Sequence, residues 1–223
     1  MPGLLKRLFR AVLFLVLGFY FLCLLGLVYL RFFPPLITTV QLQRQVEALF
    51  EPGEYRRQYS YVPGDRIARD LRRAVVAAED TRFYQHRGFD WEEFRKARRE
   101  AERRGEQPRG ASTITQQLVK NLFLTTHRSV VRKGVEYTLT PLAELVLPKD
   151  RILELYLNVI EWGPGVFGAE AAAQHHYNVP ASRLTRQQAT RLAAIVPAPR
   201  TRSPQQMGWY ADIIQRRMRQ MGW

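Results

Sequence analysis

Apolar positions follow two patterns along this chain. From Ala11 to Leu30 there are twenty residues without a charge, and at 1.5 Å per residue a helix of that length crosses a bilayer core of roughly 30 Å. A transmembrane helix is therefore predicted over 11–31, behind a short tail at 1–10. Pro34 and Pro35 end it, because proline cannot continue a helix. Residues 32–66 read as a membrane-proximal connector, in which Leu42, Val46, Leu49 and Phe50 recur at helical spacing and suit either the membrane or the domain surface.

From Ile67 onward the pattern is amphipathic. Ile67, Leu71, Ala74, Val75 and Ala78 make one helical stripe, which ends at Glu79-Asp80. Residues 98–111 (RREAERRGEQPRGA) are charged and contain Gly105, Pro108 and Gly110, which predicts a mobile loop. A helix is expected from Ser112, with Thr113 and Gln116 at capping-box spacing. Another starts near Ser129 with Val131, Val135, Leu139 and Leu142 inward, and Pro141 is expected to kink or break it. Asp150–Val159 forms the next, with Ile152, Leu155, Tyr156 and Val159 inward. Gly163-Pro164-Gly165 is a turn, and Ala169–His175 and Thr185–Val196 are further helices. Strand alternation is nearly absent and no repeat is found. The fold class is mainly α: one domain over 67–223 behind one N-terminal membrane helix.

Charge narrows the function. Lys and Arg total 34 against 20 for Asp and Glu, a net charge of +14. That excess asks for an acidic partner: nucleic acid, anionic lipid or a phosphorylated substrate. Lys6, Arg7 and Arg10 precede the apolar run and only Arg31 closely follows it. The positive-inside rule leaves the N-terminus in the cytoplasm and the domain outside, so nucleic acid is not expected as a partner. A cleaved signal peptide would have a shorter apolar core and an A-x-A-like site, and neither is present. The single cysteine, Cys23, excludes a disulfide framework or a cysteine zinc site within one chain.

Three features carry chemistry. Glu79 borders the buried stripe and closes a helix, where the dipole disfavours a carboxylate; it is either a helix-end surface glutamate or a general base with a raised pKa. Glu136 has Arg132 and Lys133 four and three residues before it, the spacing of a salt-bridged surface or of a cationic site. Gly110–Asn121 joins a capped helix start, which can take phosphate on its free N–H groups, to Gln116 and Lys120 on one face and Gln117 and Asn121 on the next. An ordinary amphipathic helix remains the alternative. His86, His127, His175 and His176 show no metal-ligand pattern. No Ser stands in S-x-x-K spacing, so an acyl-serine transpeptidase site is missing from this sequence.

These motifs resemble a known family. Glu79-Asp80-Thr81-Arg82-Phe83-Tyr84-Gln85-His86-Arg87-Gly88 is similar to the E-D-x-x-F-x-x-H-x-G signature of peptidoglycan glycosyltransferases. Gly110–Asn121 resembles their G-A-S-T-I-T-Q-Q-L-x-K-N block, Arg132–Glu136 their R-K-x-x-E, Lys149–Asn158 their K-x-x-I-L-x-x-Y-L-N, and Gly168–Ala173 their last block. The five motifs cover about residues 74–200, and the chain most resembles the stand-alone, monofunctional biosynthetic transglycosylases of proteobacterial type. The resemblance implies a lysozyme-like, mainly helical fold with a membrane-embedded lobe, and lipid II and the growing lipid-linked glycan as substrates. It implies Glu79 as general base. It also implies Lys120, Arg128, Arg132 and Lys133 as cations lining the diphosphate region, with Glu136 either orienting them or holding a divalent cation. Asp80, Phe83, His86, Ser112, Thr113, Gln117 and Asn121 match binding positions, and 98–111 matches the family's mobile loop. No tightly bound cofactor is expected; Mg²⁺ or Mn²⁺ is the candidate cation. Location in the bacterial inner membrane follows, with membrane lipid and other cell-wall synthesis or division proteins as candidate partners. The competing readings are a lysozyme-like hydrolase, which has no use for a cationic row, and a basic anchored scaffold, which leaves Glu79 idle.

Overall fold

A computed structural model of the chain describes residues 2–50, 55–107, 110 and 112–223. Among them are ten α-helices and three short strands. The first helix is α1 (Pro2–Phe32), and over Gly3–Phe32 it is long and apolar enough to cross a membrane. Most of its surface is exposed, but Cys23, Leu27 and Leu30 are buried against the rest of the protein. There α1 packs on α6 (Val130–Val146). Tyr20 and Thr138 share a hydroxyl–hydroxyl bond of 2.5 Å, and Arg31 Nη1 donates to Val146 O at 2.7 Å. Arg151 reaches back to cap the end of α1, donating from Nε to Leu30 O at 2.8 Å and from Nη2 to Phe33 O at 2.7 Å. The last turns of the apolar helix thus share the domain's core.

The helix α2 (Thr39–Ala48) carries the helical spacing of the connector. Its Val40 and Gln41 are buried, whereas Leu42, Val46, Leu49 and Phe50 stay exposed, with Leu36 and Ile37 just before it. Behind it, α3 (Arg69–Glu79) packs on α9 (Arg186–Ile195) and α10 (Gly208–Gln220), while α5 (Ile114–Phe123) lies between α6 and α7 (Lys149–Val159). Leu71, Val75, Ile114, Leu118, Leu139, Ile152, Leu155, Tyr156, Leu192 and Ile214 have no exposed surface and form the common core. The hairpin β2 (Glu161–Gly163) and β3 (Val166–Phe167) turns at Pro164-Gly165. β1 (Gln58–Tyr59) adds to β3 in parallel, Gln58 opposite Val166, giving the order β1-β3-β2. The hairpin leads into α8 (Ala169–Tyr177).

Three expectations need correction. Residues 98–104 are not loop: α4 runs from Trp91 to Arg104, capped by Asp90 accepting from Glu93 N and by Gly105 at φ +64. Its buried face is made of Ala97 and Ala101 only, so a charge-rich sequence of good helix formers hides a helix that hydropathy does not mark. Pro108, Arg109 and Ala111 lie outside the described residues, as do Met1 of the tail and 51–54 of the connector. Pro141 does not break α6, which runs unbroken through it. Val131 is exposed, because the inward stripe of α6 is Glu136, Leu139, Thr140 and Ala143. That register turns Arg132 and Lys133 inward and Val131 out.

Gly88 stitches the turn after α3 to α6 and α5. Its φ is +90, and a Cβ there would stand 2.8 Å from Thr140 Cγ2. Gly88→Ala is expected to cost about 2 kcal/mol or more, a fall of roughly 4–8 °C in Tm. Gly105→Ala, at φ +64 in open space, carries only the conformational cost of about 1 kcal/mol. Thermal unfolding followed by circular dichroism in detergent distinguishes the two.

Candidate active site

The site is built where the end of α3 meets the start of α5. Asp80, the first residue beyond α3, is buried and bridges the two. Its Oδ2 accepts from Ile114 N at 3.0 Å, and its Oδ1 lies 2.9 Å from His86 Nε2. A carboxylate at a helix N-terminus satisfies a free N–H and the positive dipole end together. Thr113 caps the same helix: its hydroxyl accepts from Gln116 N, and Gln116 closes the capping box on Thr113 N. The Thr113 hydroxyl also donates to Gly88 O at 2.6 Å.

This clamp leaves Glu79 half-buried on a cleft of about 820 Å³. The cleft is lined by Glu79, Asp80, Ser112, Thr113 and Gln117, by Asp90, Glu93, Lys96 and Glu100, and by Tyr210, Arg217 and Gln220 of α10 with Met221 just beyond it. Gln117 Nε2 donates to Glu79 Oε2 at 2.8 Å. Burial pushes the Glu79 pKa above the ordinary glutamate value and Asp80 adds to that, against the Gln117 bond and the charges of Lys120 and Arg202. The side chain of Lys120, one turn further along α5, makes no ion pair or hydrogen bond among the described residues. Burial draws its pKa down, while Glu136 and Glu79 hold it up.

Glu136 is nearly inaccessible. Its Oε2 accepts from Arg132 Nη1 at 2.7 Å and its Oε1 from Lys133 Nζ at 2.5 Å. Lys133 also donates to Ser112 Oγ at 3.1 Å, which ties the cation cluster to the head of α5. Both oxygens of Glu136 are therefore engaged, and the surrounding side chains are cationic. This arrangement fits the orienting role and does not fit a resident divalent cation. Asp80, His86 and Asp90 bring ligand atoms within 4.8 Å of one another, a grouping that their spacing in the sequence did not suggest. Asp80 is already bonded to His86 and Ile114, and Asp90 caps α4.

The expected residues divide clearly. Glu79, Ser112, Thr113 and Gln117 share the cleft, and Lys120 stands between Glu79 and the Arg132–Lys133–Glu136 cluster by the charges it feels. Arg128 is exposed on the loop before α6 and makes no ion pair or hydrogen bond among the described residues. Asn121 turns back on its own helix, donating to Gln117 O at 2.8 Å. Phe83 has no exposed surface and its ring lies under the Lys149 ammonium, 4.4 Å from ring centre to nitrogen. Phe83 and His86 thus hold the turn after α3 and offer a ligand little surface in this structure, whereas Asp80 also lines the cleft. Sequence reading missed α10, although Ala211, Ile214 and Met218 have helical spacing and are buried. From α10, Arg217 donates to Ala77 O at 3.3 Å and Ala78 O at 3.4 Å, capping the helix that ends in Glu79.

Residues 44–221 match the family model described as Transglycosylase. The chain belongs to the transglycosylase family. This transglycosylase is 46% identical over 222 residues to a biosynthetic peptidoglycan transglycosylase of Chromohalobacter salexigens, covering 98% of this chain and 94% of that one. It is 46% identical over 223 residues to one from Pseudomonas fluorescens SBW25, covering 98% and 92%. To one from Bordetella pertussis it is 58% identical over 147 residues, covering 64% and 61%. The fold is lysozyme-like and mainly helical, as the motifs implied.

A folded pKa raised above the unfolded value contributes stability only below the unfolded value, and it is lost as pH rises through the folded one. Ionised Glu79 therefore opposes folding at neutral pH. Glu79→Gln is expected to melt no lower than the native transglycosylase near pH 4, and higher as the pH rises above the ordinary glutamate value of about 4.3, levelling off once the native carboxyl is fully ionised. Parallel melting curves across that range check it.

Proposed function

We propose that this transglycosylase polymerises lipid II into the β-1,4-linked glycan of peptidoglycan. What carries the reading is the half-buried Glu79, with its pKa raised, one oxygen on Gln117 and Lys120 beyond. A carboxylate whose pKa is raised toward the working pH suits general-base catalysis. In this reading Glu79 takes the proton from the 4-hydroxyl of the acceptor's GlcNAc. That oxygen attacks C1 of the MurNAc at the reducing end of the growing chain. The α-linked donor becomes a β-linked product, so the displacement inverts. The bond from C1 to the diphosphate oxygen breaks, and undecaprenyl diphosphate leaves with the electron pair.

The leaving group gains charge as this bond breaks, so fixed cations help most in the transition state. Lys120 is the first candidate, and Arg132 and Lys133, held in place by Glu136, follow. A hydrolase acting on finished glycan expels a neutral sugar hydroxyl and gains nothing from them. Lipid substrate also gives α1 and the exposed apolar side chains of α2 a role: they hold the cleft at a bilayer surface. Lys6, Arg7 and Arg10 set the N-terminus in the cytoplasm and the domain in the periplasm, on a single pass through the inner membrane. Other wall-synthesis and division proteins are candidate partners there.

Supplying lipid II and resolving the product on a gel tests the reading. Wild type is expected to give a polymer ladder, and Glu79→Gln to lose about 10²–10⁴-fold in rate while folding normally. Lys120→Ala is expected to lower kcat by about 10²-fold, Lys120→Arg to recover part of it, and Arg103→Ala, on the exposed end of α4, to turn over almost normally. Equal small losses at Lys120 and Arg103 contradict the cationic role, and a Glu79→Gln variant that keeps more than about a tenth of the wild-type rate contradicts the base. Peptide cross-linking is not part of the proposal, for want of an S-x-x-K serine. Incubation with penicillin is expected to leave the intact mass unchanged.

A further inference from the structure

We propose that Tyr156 is a positioning residue for the base, its hydroxyl fixing which end of the Gln117 amide faces Glu79. Tyr156 stands on α7 with no exposed surface. Its O–H donates to Gln117 Oε1 at 2.8 Å, and the other end of that amide, Nε2, donates to Glu79 Oε2 at the same distance. Three side chains from α7, α5 and α3 thus form one chain of donors ending on the base.

A primary amide has two ends of nearly equal shape and opposite hydrogen-bond character. Flipped, Gln117 would aim its oxygen at Glu79, which repels an ionised carboxylate and suits only a protonated one. What stops the flip is the phenol. Burial pushes the Tyr156 pKa well above its ordinary value, and the charges of Glu79 and Asp80 add to it, so the hydroxyl keeps its proton. That proton needs an acceptor, and Gln117 Oε1 is the one it has. A flipped amide would put two N–H groups against a hydroxyl that has a proton of its own to place. Holding the oxygen toward Tyr156 leaves the nitrogen for Glu79 and favours the base's ionised form. It works against burial, which favours the protonated form.

The other groups around Glu79 do not depend on this amide. Asp80 is fixed by His86 and Ile114, Lys120 and Arg202 act through charge, and Arg217 is bonded to the α3 carbonyls. Asp90, Glu93, Lys96 and Glu100 line the same cleft as the base. Tyr156→Phe leaves all of them in place, so its effect on the base passes through Gln117.

The proposal rests on Glu79 as general base, and the experiment separates the two. The full chain in detergent polymerises lipid II across a pH series as wild type, Tyr156→Phe, Gln117→Leu and the double variant. Tyr156→Phe is expected to move the acid limb of kcat up by about one pH unit, roughly a tenfold loss of rate on that limb. The high-pH plateau largely recovers and KM stays within about twofold. Gln117→Leu moves the limb the same way, and the double variant goes no further than Gln117→Leu alone. If Tyr156→Phe fails to fold, 3-fluorotyrosine at 156 keeps the ring, strengthens the donor, and is expected to move the limb down. An unmoved limb, or losses that multiply in the double variant, overturns the relay while leaving Glu79 in its role. A Glu79→Gln variant that polymerises at more than about a tenth of the wild-type rate removes the role itself.

Discussion

The carboxylate of Asp80 joins two helix ends of opposite polarity. Its hydrogen bond to Ile114 N pins the start of α5, and its partner His86 ties down the turn after α3. Geometry at the site follows from that clamp. With α3 ending on α5, Glu79 accepts a hydrogen bond from Gln117, and Thr113 reaches Gly88. With α5 held at its head, Ser112 meets Lys133, and the Glu136 cluster of α6 is drawn to the same place. The strained backbone at Gly88 is the conformational cost of bringing that turn against Thr140.

Two carboxylates then take opposite parts for reasons of environment. Glu136 is shut away with a guanidinium and an ammonium on its two oxygens. A buried charge so paired is stable only while both partners remain, so it fixes their positions more than it adds stability. Glu79 has one neutral donor and lies at the wrong end of a helix dipole, with burial against it. The fold disfavours its ionised form, a condition that suits the proposed base. Lys120 couples the two, feeling both carboxylates and bonded to neither among the described residues.

Much of this was legible in one dimension because it is local. The capping box at Thr113 and Gln116, the end of α3 at Glu79 and the inward stripe of α7 are set by neighbours within a few residues. The rest depends on distant partners. Hydropathy marks α1 as long and apolar enough to cross a membrane but cannot tell its exposed side chains from Leu27 and Leu30, which are buried against the domain. α4 was missed because two alanines are its only buried positions, and Val131 was placed inward because the stripe of α6 begins with a charged residue, Glu136. Phe83 belongs to the core although it lies in a motif rich in site residues. Tyr156 was read as core packing, and only the fold shows its hydroxyl on Gln117.

The proposed chemistry turns on the ionisation of Glu79. Isotope-edited infrared titration of the ¹³C-glutamate-labelled chain, taken as the difference between wild type and Glu79→Gln, reads that carboxyl directly. The account predicts a midpoint above the ordinary glutamate value of about 4.3, moving higher still in Lys120→Met, which removes a cation that now favours the ionised form. A midpoint at or below the ordinary value, unmoved by Lys120→Met, would contradict it.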